Sequence, residues 1–434
     1  MKRIIENTNY ILRGEEAREI YEEIKDDPIF DVHTHVVWAS PVAGSAWDIL
    51  KYHYFTEMAY TQGFPKKVLF DTTLSLRERT KEIVGYLPGM RTTAPYWWLI
   101  ALSQKLFDFE HNFIGPENWE EFFQKVEEKS QGHNWLGEVK KLSNIERICL
   151  TNLPWEKLEG MDRDLFLPTF RVDPLLNIEN REFELIKNQS NMINLSGYEE
   201  YIAERFDYFV KHGARSAAVS LPPNFPTMKI ERTELFDEMI KHPVRYRNNP
   251  DEMNRFKAYI MNYIANLCEV NNMPFQLMVG VRKEIYEHGV PGGCDQSDPV
   301  SSLGSLLYLL NGFPDINFPI SILSSTQSQE LAEYARDFRN VYASGHWWFT
   351  NTVKGIEDSL NIRLELSPYT KHLGFYSDAY TMELIWAKTD TYRRIESNVF
   401  AEKYVYQGKL NIDDVVEIIR IRDYKTPKKL MRIK

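Results

Sequence analysis

Cysteine is scarce in this chain, and the scarcity excludes several classes of protein. Only three cysteines occur in 434 residues, Cys149, Cys268 and Cys294, and they are widely spaced with no CxxC pair. This pattern supports neither a disulfide framework nor a zinc ribbon. Free thiols are typical of a reducing compartment, so we expect a cytoplasmic protein.

Long apolar runs and an excess of positive charge are also missing. No apolar run approaches the roughly 18 residues that a membrane helix needs. Polar residues interrupt the N-terminal segment MKRIIENTNYILRGEEAREI, which we therefore do not expect to be a signal peptide. Lys and Arg number 52 against 62 Asp and Glu, a net charge of −10. This acidic balance lacks the excess of positive charge by which proteins bind nucleic acid or an anionic membrane, and we expect neither as a partner.

What recurs along the chain is a short apolar run, a polar loop and a longer helical pattern. That alternation is typical of parallel strands joined by helical crossovers. The aromatic content of 13% suits a large core and a pocket for a small polar molecule. We predict an α/β fold, a (β/α)8 TIM-type barrel. Its eight strand candidates are 28–36, 147–152, 165–172, 216–221, 275–281, 318–323, 340–345 and 372–379.

The interval between the first two predicted strands is too long for a single crossover. Residues 38–145 are rich in helix formers and aromatic residues. We predict a helical insertion over the C-terminal mouth of the barrel, with the metal-dependent barrel itself formed by residues 1–37 and 146–434. The insertion could also contact another subunit, so a homo-oligomer is left open.

Two histidines at the end of the first predicted strand indicate a metal site. In the segment Asp31-Val32-His33-Thr34-His35, the two imidazoles are two residues apart and should face the same side of a strand. Asp378 ends the eighth predicted strand, which neighbours the first in a closed barrel. A carboxylate beside two imidazoles is a typical metal-ligand set. The alternatives are a pair of buried, hydrogen-bonded histidines and an Asp that caps a helix.

The other strands narrow the site to a single ion. The fourth predicted strand offers Ser220 and no Lys or Glu that could bridge a second metal, and the fifth and sixth carry no His. We therefore expect one divalent metal ion, with open positions for water or substrate. Zinc is the expected ion, and manganese or iron would also fit.

Because of this histidine pair and Asp378, the chain resembles the amidohydrolase superfamily and, within it, the uronate isomerases (glucuronate isomerase family). The resemblance runs through most of the chain. Its marks are DVHTH at 31–35, YHY at 52–54, FRVDPLLN at 170–177, SLPPNF at 220–225, GHWWFTN at 345–351 and YSDA at 376–379.

The resemblance implies a role for each matching residue. His33, His35 and Asp378 match metal ligands, and Asp378 would also exchange a proton with a substrate hydroxyl. His53 and Tyr54 match a catalytic pair on the insertion, either of which could move the proton. A matching set of substrate-binding residues comprises Arg171, Trp347 and Trp348. Without the resemblance, each of these residues has a structural alternative. The YHY residues could pack in the protein interior, Arg171 could form an ion pair with Asp173, and one of the two tryptophans could pack in the barrel wall.

The chain departs from the family pattern at one position. Uronate isomerases show Asp-x-Arg at the end of the eighth strand, whereas here Tyr380 follows Asp378 and Ala379. A phenol replaces a cation that would contact the sugar acid. Either Arg282 or Lys283 compensates or the substrate differs, and Tyr380 is then a substrate-binding residue of different chemistry.

The resemblance implies an aldose–ketose isomerase acting on a small-molecule sugar acid. The reaction would convert glucuronate to fructuronate, galacturonate to tagaturonate, or both, by proton transfer between C2 and C1. A first alternative is a mononuclear hydrolase or decarboxylase of the same superfamily acting on a small acid. A second is a non-catalytic barrel that binds a sugar acid, although three convergent ligands without a metal would leave buried polar groups unsatisfied.

Overall fold

The fold is built on short parallel strands separated by helices. A computed structural model of the chain describes residues 2–190 and 193–433. Each of the eight predicted strand segments overlaps an observed strand. The strands are β1 Ile29–Asp31, β2 Ile145–Cys149, β3 Phe166–Leu167, β4 Thr169–Arg171, β5 Ser216–Leu221, β6 Phe275–Val279, β7 Val281–Arg282, β8 Gln296–Ser297, β9 Phe318–Ile322, β10 Val341–Ser344 and β11 His372–Leu373.

Backbone pairing arranges these strands in a ring. One sheet runs β1-β2-β3 and the other runs β11-β10-β9-β6-β5-β4, with every pair parallel. A parallel bridge between Asn152 and Phe170 links the two sheets, and only Pro168 separates β3 from β4. β7 and β8 form a small antiparallel hairpin outside the ring. Counting β3 and β4 as one position, the ring has eight positions in the described part of the chain.

The second seam of the ring closes beyond the ends of β1 and β11. The Asp378 N–H donates to the His33 carbonyl at 3.1 Å, and the His35 N–H donates to the Ala379 carbonyl at 2.9 Å. The same segments carry the predicted metal ligands, so the closure of the barrel also assembles the site. The predicted fold class is confirmed.

The central strands are buried because their sequences are apolar on both faces. Every residue of FQLMV in β6 and of FPISI in β9 is buried, as expected when side chains fill the barrel on one face and meet helices on the other. The first strand is much shorter than its predicted segment 28–36. Regular pairing stops at Asp31, and the two histidines lie just beyond the strand end.

Helices cover the ring and fill the long interval after β1. The segment 47–60 divides into two helices, and the break after Lys51 places His53 at the start of the second. The α-helices are α1 Glu15–Ile24, α2 Ala46–Leu50, α3 His53–Thr61, α4 Leu76–Val84, α5 Ala94–Leu106, α6 Trp119–Ser130, α7 Trp135–Ser143, α8 Asp173–Leu176, α9 Arg181–Ser190, α10 Leu195–Lys211, α11 Glu234–Lys241, α12 Pro243–Tyr246, α13 Pro250–Val270, α14 Leu307–Gly312, α15 Ser328–Asp337, α16 Val353–Leu366, α17 Met382–Phe400, α18 Ile412–Arg420 and α19 Thr426–Leu430. Short 3-10 or π segments are Ile4–Glu6, Lys66–Leu69, Leu87–Met90, Leu303–Leu306, Ser325–Gln327, Trp348–Thr350, Tyr369–Lys371, Ala401–Val405 and Ile421–Lys425.

The helix that follows the last strand is enclosed on all sides. All 19 residues of α17 are buried, including charged ones, because α1, α5, α7 and α16 pack around it. Its polar groups therefore need internal partners. Glu383, for example, accepts hydrogen bonds from the Trp135 indole and the Ala43 N–H, both at 2.9 Å, and so fastens α7 and the loop before α2 to the barrel.

The described helices also bear on the membrane question. None of those in residues 2–190 and 193–433 combines the length and the apolar character needed to cross a bilayer.

Candidate metal centre and active-site cavity

Three predicted ligands meet at the carboxyl end of the barrel. The ligand atoms of His33, His35 and Asp378 lie within 4.8 Å of one another. The Asp378 Oδ1 is 3.3 Å from the His35 Nε2 and 3.7 Å from the His33 Nε2. The imidazole rings stand nearly perpendicular, with centroids 5.4 Å apart. Two nitrogens and one oxygen thus converge on one point, as a metal ion requires.

The electrostatics keep this group in its ligating form. Burial, with a smaller contribution from His35, lowers the pKa of His33 to about 4, so its ring is neutral at physiological pH. Burial opposes ionisation of Asp378, but the hydrogen bond with His35 and the electrostatic interaction with both histidines outweigh it and hold the pKa of this carboxyl well below its usual range. Neutral imidazoles and a carboxylate are the forms that bind a metal.

An unsatisfied buried group supports a metal at this position. His33 is 2% exposed, and neither of its ring nitrogens makes a hydrogen bond within the described residues. Leaving such nitrogens unpaired in the interior costs free energy. A metal ion would satisfy one of them, so the residues fit the group that their sequence pattern predicts.

Backbone and side-chain contacts hold the ligands in place. The buried Asp31 carboxylate accepts hydrogen bonds from the His33 N–H at 3.2 Å and from the Ser377 N–H at 3.1 Å, so it ties the first ligand segment to the last. Burial raises the pKa of Asp31 to about 7. Asp378 has a left-handed backbone with φ of 54°. Such a conformation is uncommon for a residue with a side chain and persists where its surroundings enforce it.

A tyrosine and a buried lysine provide that enforcement. The Tyr52 hydroxyl donates to the Asp378 carbonyl at 2.8 Å and accepts from the Lys388 Nζ at 2.9 Å. Lys388 is 1% exposed. Burial lowers its pKa to about 8. A chain of contacts therefore runs from Lys388 in α17 through Tyr52 to Asp378, the last of the three predicted ligands.

The ligands open onto a cavity of about 260 Å³. Drug-sized ligands occupy pockets of about 300–1,000 Å³, so this one suits a smaller molecule. Polar and aromatic groups dominate the wall. The lining residues are His35, His53, Arg171, Ser220, Met278, Val281, Lys283, Gly292, Asp295, Trp347, Trp348, Asp378 and Tyr380.

Most of the predicted site residues lie in this wall. His53, Arg171 and Tyr380 line the cavity together with both tryptophans, Trp347 and Trp348. His33 is buried behind His35. The alternative suggested for Arg171 also holds, because its Nε lies 3.4 Å from the Asp173 Oδ2. Of the two cations suggested as replacements for the family arginine, Lys283 lines the cavity, whereas Arg282 lies outside its wall, 3.9 Å from Asp298.

Tyr54 is placed differently from its neighbour His53. Its side chain is buried, stands edge-on to Trp98 with ring centroids 5.5 Å apart, and has the Lys388 Nζ 4.6 Å from its own ring centroid. It is outside the cavity wall and instead borders a separate groove shared with Trp348. Successive helical residues differ in direction by about 100°, which separates the two side chains.

Several site residues were not predicted from the sequence. Glu57 contacts His53, and Asp295 lines the cavity beside Lys283. The spacing of four residues between His53 and Glu57 on one helix was a usable signal. Lys388 offered none, because a lysine in a helix is normally exposed.

Comparison with known proteins adds an independent line of information. The family model described as Glucuronate isomerase matches residues 1–430. A uronate isomerase of Thermotoga maritima is 24% identical over 452 residues, which cover 97% of this chain and 98% of the relative.

Solved structures show the same fold. A crystal structure of uronate isomerase from Thermotoga maritima superposes with a TM-score of 0.88 at 22% identity, covering 98% of this chain and 99% of that one. A glucuronate isomerase from Caulobacter crescentus gives a TM-score of 0.86 at 21% identity, with 97% and 96% coverage.

Proposed function

The chain belongs to the glucuronate isomerase family, and on that premise we propose that it is a metal-dependent aldose–ketose isomerase of hexuronates. The substrates would be glucuronate, galacturonate or both, converted to fructuronate and tagaturonate. The observation that carries the proposal is the convergence of a candidate metal-ligand triad, two of whose members line a cavity of about 260 Å³, with a histidine and two cations of the same cavity wall.

The proposed cofactor is one divalent ion held by His33, His35 and Asp378. When bound, such an ion supplies Lewis-acid polarisation of the carbonyl oxygen. Zinc suits two imidazoles and one carboxylate, and manganese or iron are the alternatives.

The side chains of the cavity supply the binding and the proton transfer. Arg171 and Lys283 would hold the sugar carboxylate, and the guanidinium can do so with two parallel hydrogen bonds. In the reaction the C2–H bond breaks, a C1–H bond forms, and the O2 proton passes to O1. His53 lines the cavity and is the residue that we assign to carrying the C2 proton to C1. Asp378 would exchange the hydroxyl proton.

The remaining assignments complete the wall and the catalytic set. Trp347, Trp348 and Tyr380 line the cavity, where we propose that they pack against the sugar and limit the entry of water. Tyr54 is retained as a proton carrier in second place, since its buried hydroxyl would have to reach the substrate from outside the wall.

The decisive experiment is an isomerase assay in D2O. The metal-loaded protein is incubated with each hexuronate, and ketose formation is followed by NMR. We expect turnover of at least one hexuronate with solvent deuterium entering at C1 or C2. Hydrolysis of an ester or amide, or release of CO2, without turnover of any uronate would instead support the alternative hydrolase or decarboxylase.

The cofactor is tested separately by metal analysis of the purified protein. We expect about one divalent ion per chain and its loss in His33→Ala. His111→Ala is a matched control, because His111 lies in a partly exposed pair with Glu121 and is not one of the proposed ligands. Equal metal content in the His33→Ala variant and the wild-type protein would contradict the proposed ligand set.

A further inference from the structure

Glu57 contacts the histidine to which we assign proton transfer. It lies one turn after His53 on α3, and its Oε1 is 2.5 Å from the His53 Nδ1. Its other oxygen, Oε2, accepts a hydrogen bond from the Trp348 indole N–H at 3.4 Å. The Glu57 side chain is 16% exposed and that of His53 is 11% exposed. Each oxygen of the carboxylate therefore has one ring nitrogen as its partner in a largely enclosed place.

The chemistry of this pair determines which nitrogen of His53 carries the hydrogen. An ionised carboxylate can only accept hydrogen bonds, so the Nδ1 beside it must donate. In a neutral imidazole the Nε2 is then unprotonated and free to accept a proton. We propose that Glu57 is a positioning residue that holds His53 in the Nδ1–H tautomer and so presents the Nε2 as the base in the cavity. This inference rests on the proposed function for its catalytic meaning, but the tautomer itself does not.

Aromatic rings prevent His53 from turning away from Glu57. The Trp348 ring stands edge-on to the imidazole, with centroids 5.0 Å apart at 87°. The rings of Tyr54, Tyr52 and Tyr380 lie at centroid distances of 4.5, 5.0 and 5.6 Å. A rotated imidazole would have to displace packed side chains, so the contact with Glu57 defines its orientation.

A glycine pair closes the remaining side. A Cβ on Gly292 would lie 2.8 Å from the Glu57 Oε1 and 3.0 Å from the His53 Cβ, and a Cβ on Gly293 would lie 2.9 Å from the Glu57 Cγ. Gly292 also has φ of 85°, a left-handed conformation that favours glycine. The loop backbone can lie directly against the pair only because both residues lack a side chain. Gly292 and Gly293 take no part in the proposed reaction, and this close approach explains why glycine occupies both positions.

Replacement of Glu57 by glutamine changes the hydrogen bonding without changing the shape. A glutamine has one acceptor oxygen, whereas Glu57 serves two N–H donors. If the amide oxygen stays with Trp348, the amide NH2 faces the His53 Nδ1, which must then accept. The imidazole hydrogen moves to Nε2, and the base in the cavity is lost. An analogous tautomer effect is known for the Asp of serine-protease triads.

The test combines a spectroscopic readout with steady-state kinetics. The protein is labelled with 15N-histidine, and the His53 signals are assigned by their loss in His53→Gln. We expect the Nδ1–H pattern in the wild-type protein and the Nε2–H pattern in Glu57→Gln. With a uronate substrate, kcat in Glu57→Gln should fall at least about 10- to 100-fold, the range for carboxylates that orient metal-bound imidazoles, with KM changed less than about threefold.

Two further variants keep the inference falsifiable. Glu121→Gln removes the carboxylate of a partly exposed His–Glu pair, in which the Glu121 Oε2 lies 2.9 Å from the His111 Nε2, and should leave kcat and the His53 signals unchanged. Gly292→Ala should lower kcat and perturb the His53 signals, since the added methyl group must displace the pair. An Nε2–H tautomer in the wild-type protein, or a wild-type tautomer and kcat in Glu57→Gln, would overturn the inference. Absence of any uronate turnover by the wild-type protein would contradict the proposed function instead, while the NMR result would still decide the tautomer.

Discussion

Replacing Lys388 by methionine should change how the stability of the protein depends on pH. Lys388 is enclosed in α17, where its ammonium group donates to the Tyr52 hydroxyl at 2.9 Å. Its Nζ also lies 4.6 Å from the ring centroid of Tyr54 and 4.9 Å from that of Trp98. These contacts offset only part of the loss of hydration, so burial lowers the pKa to about 8 from an ordinary value of 10.5. Methionine has a similar shape and no charge, and it removes this titration.

The size of the effect follows from the two pKa values. A difference between about 8 in the folded protein and 10.5 in the unfolded chain corresponds to about 3 kcal/mol of destabilisation while the lysine is charged in both states. Below pH 8 this penalty applies in full. Between pH 8 and 10.5 the unfolded chain binds the extra proton, so the free energy of unfolding rises with pH. The stability of the wild-type protein relative to Lys388→Met should therefore increase by about 2 kcal/mol between pH 7 and 9.5.

Urea denaturation at a series of pH values measures this difference. Both proteins are metal-loaded, and the free energies of unfolding are compared at pH 7, 8, 9 and 9.5. Other groups titrate equally in both proteins and cancel. Lys140→Met, on the exposed face of α7, is the matched control and should show a constant difference from wild type. A constant or shrinking difference for Lys388→Met across this pH range would refute the reasoning, because it would mean that Lys388 is not buried as a depressed cation.

Three further substitutions test the residues that line the cavity and the packing of the barrel around it. Arg171→Met should lower kcat/KM for a uronate about 10- to 150-fold, mainly by raising KM, because a charge-assisted hydrogen bond contributes about 1.5–3 kcal/mol. An unchanged KM in steady-state assays would show that Arg171 does not bind the substrate. Tyr380→Arg should raise kcat/KM or shift the preference between glucuronate and galacturonate, since it adds a cation to the cavity wall; unchanged kinetics with both substrates would show that position 380 does not contact the sugar acid. Gly345→Ala should destabilise the fold by about 1–3 kcal/mol in thermal unfolding, because its Cβ would lie 2.2 Å from the Tyr376 Cδ1 at a φ of 36°; an unshifted Tm would contradict this close packing.

The barrel could be predicted because its signal is local. Each strand of a parallel sheet is buried on both faces, so it leaves a short apolar run that survives in the sequence. The candidate metal ligands were predicted by the same logic, since the ends of neighbouring strands meet at one face of the barrel. His33, His35 and Asp378 were found in this way, and the structure brings them together. The length of β1 was overestimated because the β-branched residues Val32, Thr34 and Val36 extend a strand-like pattern past Asp31, where regular strand pairing stops.

The unpredicted residues depend on tertiary packing instead. Lys388 is buried beside Tyr52 only because α17 is covered on every side, and nothing in the local sequence distinguishes that helix from one with an exposed face. The orientation of the YHY element was equally hidden, since sequence similarity treats His53 and Tyr54 as a pair. Helix geometry directs the first to the cavity and the second to Trp98 and Lys388. The rotation of a helix about its axis is set by what packs against it.

The net negative charge of the chain affects how it could bind an anionic substrate. A net charge of −10 repels an anion at long range, but salt screens that repulsion beyond about 8 Å in physiological solution. Capture of a sugar acid must therefore depend on cations inside the cavity, and among its described lining residues these are Arg171 and Lys283. The ion pair of Arg171 with Asp173 does not remove it from this role, because a guanidinium has five N–H donors and Asp173 occupies one side of it. The Asp173 carboxylate contacts the guanidinium at its Nε, so under the proposed function the remaining N–H donors would be available to the substrate carboxylate.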